Sequence, residues 1–150
     1  MAYITTSQLS ERLGPALYAR LTDRVAGAVA DESIAARLVA DAEAEANTYL
    51  ASRYATPVDV VAHPEVADVL MARVLDLAEY AAWWGSPFVT DPPTRVHALR
   101  ATAVSWFQAV AAGRMDLPAA RPLGAPTAVD DGPRFTAAPR TLTAEELDGL

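Results

Sequence analysis

The chain has 150 residues, 52% of them hydrophobic, with 19 acidic against 12 basic residues, a formal net charge of −7 and no cysteine. That is the size of one ordinary domain with one core, and it leaves no place for a disulfide, a thiolate zinc site or a cysteine nucleophile. The acidic balance disfavours nucleic acid as a tightly held partner, because that grip needs a concentrated basic face.

Thr5 with Gln8 three positions later has the form of a capping box, which starts a short first helix ended by Gly14 and Pro15, with Leu9 and Leu13 on its apolar edge. Asp31 opens a second helix, running to residue 54, on which Ile34, Ala35, Leu38, Ala42, Ala46, Tyr49, Leu50 and Arg53 recur at helical spacing. At 1.5 Å per residue such a helix is about 36 Å long and forms the spine of the domain. Pro64 opens the third helix, whose buried stripe is Val66, Leu70, Val74, Leu77, Ala78 and Ala81, and Gly85 with Pro87 closes it. Asp91 caps and Pro92 starts the fourth, which buries Val96, Leu99, Ala103, Trp106, Phe107 and Val110 before Gly113 supplies a left-handed stop. Alanine accounts for 33 residues, so the helices approach closely around a thin core whose bulk lies in Trp106, Phe107, Tyr49, Tyr80 and the leucines.

The pattern changes at Leu117. Pro118, Pro122, Pro126, Pro133 and Pro139 follow too closely for a helix to persist, since each removes a backbone donor and clashes with the preceding turn. The expected architecture is therefore all-α: a bundle of three long helices plus a short N-terminal one over 1–117, with an extended proline-rich arm over 118–150 for inter-subunit contacts. No stretch reaches the roughly 18 uninterrupted apolar residues of a membrane span. The first thirteen residues lack the basic start and apolar middle of a signal peptide, so a soluble chain made in the cytoplasm is expected.

Little in the sequence asks for catalysis. His63 and His97 are the only histidines and have no partner at ligand spacing, so no metal is expected. Asp41, Glu43 and Glu45 alternate along the second helix and point in different directions, while Asp76, Glu79 and Arg73 suit a solvated ion-pair row. No serine lies in a glycine-framed elbow and no glycine-rich phosphate loop is present. A non-enzyme without cofactor is the expectation. The remaining candidates are aromatic: Trp83, Trp84 and Phe88 crowd one helix end and the loop after it, where they cover the bundle end or anchor a partner and one tryptophan must point away from the other, and Arg134 with Phe135 stands in the polar arm. Aromatics anchor interfaces, so these five are the candidate partner-interface residues.

Several segments taken together resemble a known family. They are Met1-Ala2-Tyr3-Ile4-Thr5 with Leu9, Leu21-Thr22-Asp23, Tyr49-Leu50-Ala51-Ser52-Arg53-Tyr54 followed by Pro57, Asp76-Leu77-Ala78-Glu79-Tyr80, and Ala112-Gly113 with Leu117-Pro118. Their order and spacing resemble the Mu-like phage neck protein family, and Arg134-Phe135-Thr136 matches it more loosely. The resemblance implies a head-tail connector, or adaptor, in the neck of a virion: a ring, commonly of twelve copies, between the portal protein and the tail or its terminator. DNA passes through such a ring without specific binding, and the acidic charge suits its wall. Two departures stand out: Asn47 replaces an aspartate, and Glu79 replaces an arginine, which implies that an ion pair of the family is missing. Residues alone also permit a small acidic helical regulator that binds one bacterial protein partner.

Overall fold

The computed structural model describes residues 2–117, and among them it contains five α-helices and no strand. They are α1 (Thr6–Leu13), α2 (Pro15–Thr22), α3 (Glu32–Leu50), α4 (Pro64–Gly85) and α5 (Thr94–Ala111). The all-α expectation holds. The expected arm, with Arg134 and Phe135, lies outside the described residues.

The capping box that starts α1 is complete: the Thr5 hydroxyl accepts from the Gln8 backbone N–H at 3.2 Å, and the Gln8 side chain accepts from the Thr5 N–H at 2.8 Å. Gly14 and Pro15 do end α1, but Pro15 also begins a helix that the sequence reading lacks. Gly14 adopts φ +79°, and Pro15 sits in the first turn of α2, where a missing N–H costs nothing because that donor has no helical acceptor. Residues 6–22 therefore form a tight pair of two-turn helices.

Asp31 caps α3 by accepting from the N–H groups of Ser33 and Ile34. The helix ends at Leu50, and residues 51–53 are turn, so the spine is one turn shorter than expected. α4 spans Pro64 to Gly85 as expected, with Val66, Leu70, Val74, Leu77 and Ala78 buried and Ala82 in place of Ala81 as the last buried small residue. α5 starts at Thr94, not Pro92. A residue before proline is pushed out of the helical region, so Pro92 cannot be helical, and Pro93 is extended with ψ 148°. Asp91 instead faces His97 at 3.2 Å. Gly113 takes φ +72°, the expected left-handed stop.

α3, α4 and α5 contact one another along their lengths, and the α1–α2 pair leans against α3 and α4. Phe107 is completely buried, with Tyr49 stacked on it at 5.9 Å and Trp106 edge-on at 5.1 Å. Leu99 and Trp106 are half-buried, not buried as expected. Three tyrosines at the margin of the core act as polar pins. The Tyr3 hydroxyl donates to Asn47 at 2.6 Å and accepts from the Val58 N–H at 2.8 Å, the Tyr54 hydroxyl accepts from the Leu117 N–H at 2.9 Å, and Tyr18 donates to Glu32 at 3.0 Å. Each of these phenol groups joins segments that are distant in sequence or lie on different helices.

Candidate interaction surface

Consecutive residues on a helix point about 100° apart, and Trp83 and Trp84 separate accordingly. Trp83 packs beside Leu21, Leu38 and Ala82 in a small second cluster, its indole Nε1 buried without a partner among the described residues. It is partly buried and covers this end of the bundle. Trp84 is 65% exposed and lies parallel to Tyr80, ring centroids 6.2 Å apart. Arg100 covers Tyr80 at 4.7 Å, and His97 meets it edge-on.

Phe88, 37% exposed, is held at the same end of α4 by the loop that joins α2 to α3. A Cβ on Gly27 would come within 3.3 Å of the Phe88 ring, and one on Gly85 within 2.9 Å of the Arg24 guanidinium. The loop thus lies directly over the end of α4 because glycine occupies both crossing points. It also carries the two most exposed large apolar side chains of the described residues, Val25 and Val29. These residues carry no sequence signal of exposure, since isolated valines between alanines and a glycine read as buried.

The loop is anchored by a single carboxylate. Asp23 Oδ1 accepts from the N–H groups of Val25 and Ala26 at 2.8 and 3.2 Å, and Oδ2 from those of Ala28 and Val29 at 2.9 and 3.2 Å. Those four donors hold the Asp23 carboxyl well below the usual carboxylate range. Main-chain groups that would otherwise wander in water are thereby fixed, and the two valines are presented on an ordered backbone. Val25 and Val29 of the loop and Trp84 and Phe88 at the end of α4 are exposed large apolar side chains.

A second feature corrects the solvated ion-pair row. Asp76 and Glu79 are 3% and 1% exposed. Arg12, from the last turn of α1, reaches both acids, contacting Asp76 through Nη2 and Glu79 through Nε at 2.7 Å. Arg73 adds a bond to Asp76 at 3.2 Å, and Arg95 of α5 one to Glu79 at 2.6 Å. Burial alone would lower the pKa of Arg12, but its bonds to Glu79 and Asp76 outweigh that and raise it. The network clamps α1, α4 and α5 together. Two carboxylates saturated by three guanidiniums offer neither a free base nor a free acid to a substrate. Glu79 thus makes two ion pairs where the resemblance implied a missing one. Helical spacing gives no signal of this burial: Glu79 lies nine residues from Leu70, on the opposite side of α4 from that apolar stripe.

The alternating acids of α3 diverge as expected. Glu43 accepts from the Tyr3 and Ile4 N–H groups at 2.5 and 3.0 Å, Glu45 binds both terminal nitrogens of Arg100 at 2.8 and 3.2 Å, and Asp41 faces solvent. Among the described residues no group of three or more histidine, aspartate or glutamate side chains is arranged to hold a metal ion, and no helix is long and apolar enough to cross a membrane.

No curated protein matches the chain. A family model described as "Bacteriophage Mu, Gp36" matches residues 3–133, a span that takes in all five helices and every one of the buried motifs above. The chain belongs to that family of Mu-like phage proteins.

Proposed function

We propose that the protein is a structural head-tail connector of a tailed phage or prophage-derived particle. It forms a ring, of twelve copies in the closest analogy, between the portal protein and the tail or its terminator. Its place is the neck of the virion, and it performs no catalysis. The observation that carries this reading is the ordered loop over the end of α4. A protein that stayed alone would gain nothing from fixing Val25 and Val29 outward on the loop that crosses the end of α4, whereas a ring subunit needs such anchors at its contacts. Membership of the phage family supports it. Residues 118–150, with Arg134 and Phe135, add contacts to neighbouring subunits, and the acidic excess lets DNA pass along the wall without sticking.

Electron microscopy and mass photometry of the purified protein, alone and mixed with its portal ring, test the proposal. Closed rings that seat on the portal are expected, and the Val25→Ser/Trp84→Ala variant should stay folded yet lose them. A stable monomer or dimer with no affinity for the portal overturns the reading.

A further inference from the structure

Five arginines among the described residues, Arg12, Arg53, Arg73, Arg95 and Arg100, each have a carboxylate within 4.0 Å. Arg20, Arg24, Arg37 and Arg114 have none among the described residues, although acidic residues outnumber basic ones in the chain, and Arg24 and Arg37 are the two that meet in one place. These two share one cleft of about 330 Å³, lined also by Ile34, Leu38 and Asp41. The cleft therefore brings the apolar Ile34 and Leu38 together with two guanidiniums that have no carboxylate within 4.0 Å among the described residues, and its one carboxylate is that of Asp41, one turn beyond Arg37 on α3. Such a site selects a segment that brings both carboxylates and a branched apolar side chain, because the planar guanidinium fork binds a carboxylate through two parallel bonds while Ile34 and Leu38 take the apolar group.

We infer that the cleft is the docking site for residues 141–150 of this chain. That stretch, Thr141-Leu142-Thr143-Ala144-Glu145-Glu146-Leu147-Asp148-Gly149-Leu150, holds three acids and three leucines and no basic residue. The other acidic pair beyond Leu117, Asp130-Asp131, is followed by Gly132, Pro133 and Arg134 and has no leucine beside it. Reach allows docking within one molecule. Leu117 is fixed by Tyr54 just beyond Leu50, the last residue of α3, which lies about 18 Å from the level of Leu38 at 1.5 Å per residue. Residues 118–140 span up to about 75 Å when extended. Docking leaves Arg134 and Phe135 in the intervening stretch for a neighbour.

The absence of cysteine makes disulfide trapping in the full-length chain a direct test. Ala40 is exposed on α3 beside the cleft, and Ala98 is exposed on α5 away from it. The Ala40→Cys/Gly149→Cys chain should cross-link within one molecule about tenfold faster than the Ala98→Cys/Gly149→Cys control, as a raised effective concentration requires. Arg24→Glu/Arg37→Glu should bring the rate down to the control. Adding Glu145→Arg/Glu146→Arg/Asp148→Arg to that variant should restore it, which a merely misfolded protein would not do. Cross-linking at the control rate, cross-linking solely between molecules, or failure of the charge exchange to restore it overturns the inference. These outcomes are independent of ring formation.

Discussion

Replacing Arg12 by methionine keeps most of the side chain's apolar stem and removes the charge that bridges Asp76 and Glu79. The side chain of Arg12 is 26% exposed, while those of its partners are 5% and 1% exposed, so the acids bear most of the consequence. Breaking a buried pair and leaving a charge uncompensated costs about 3–5 kcal/mol. Here each acid keeps one partner: Arg73 remains on Asp76, and Arg95, whose side chain is 66% exposed, remains on Glu79. The loss should therefore fall at or just below the lower end of that range, about 3 kcal/mol. Arg95→Ala, which removes a largely hydrated partner, should cost about 1 kcal/mol or less. Urea unfolding of the full-length variants, followed by far-UV circular dichroism, gives both numbers. In a double-mutant cycle, Arg12→Met with Glu79→Gln should show a coupling of about 1–3 kcal/mol. An Arg12→Met cost no larger than that of Arg95→Ala would refute the claim that burial makes Arg12 the central member of the network.

Two further predictions concern titratable groups. Burial and the bond to Glu32 push Tyr18 up to about 12 from its ordinary 10.0. The neutral phenol is the form the fold favours, so its contribution is complete below pH about 10 and lost as pH rises toward 12. Wild type should therefore lose stability relative to Tyr18→Phe across that interval, and parallel curves would refute the assignment. Asp23 runs the other way: its folded pKa lies below the ordinary 3.8, so its contribution is complete above that value and fades only at still lower pH. Hydrogen exchange at pH about 3.5 should still find the Val25, Ala26, Ala28 and Val29 amides protected, where an ordinary aspartate would be mostly protonated. Asp23→Ala should expose all four while the helices stay protected. Equal exchange in the two proteins would show that the carboxylate does not order the loop.

The helices were legible because their signals are local. A capping box at Thr5, an aspartate at the head of α3, a proline opening α4 and a glycine after α5 each act through their own few bonds, and the structure keeps all four. Where the reading slipped, one residue carried two meanings. Pro15 stops a helix as readily as it starts one, and only the freedom of Gly14 at φ +79° allows it to do both in succession. The surface was partly legible: Trp84 and Phe88 are outside, and helical rotation sets Trp83 apart from Trp84, partly buried against Leu21 and Leu38. Val25 and Val29 could not have been found, since their exposure depends on a carboxylate holding the backbone of a loop that contains almost no polar side chain. The buried acids show the opposite failure. Asp76 and Glu79 look like ordinary helix-surface residues until Arg12, 64 positions from Asp76 in the chain, is brought onto them.

Facing alanine stripes bring helices close, but they say little about axial register, because one methyl group fits nearly as well as the next one a turn away. The buried small residues Ala35, Ala42 and Ala46 on α3, Ala78 and Ala82 on α4 and Ala103 on α5 supply proximity of that kind. Register has to come from contacts that tolerate no slip. A turn's displacement of 5.4 Å would break a hydrogen bond entirely, and the polar pins here span the gaps that the alanines leave unspecified. Arg12 sets α1 on α4, Arg95 sets α5 on α4, Arg100 with Glu45 sets α5 on α3, and Tyr3 with Asn47 sets the N-terminal segment on α3. Because Trp84 and Phe88 stand at the end of α4 and the valine loop rests on it, the position of these exposed residues follows from those pins. The ion pairs of this protein therefore serve its surface: they decide where its exposed apolar side chains stand relative to the rest of the bundle.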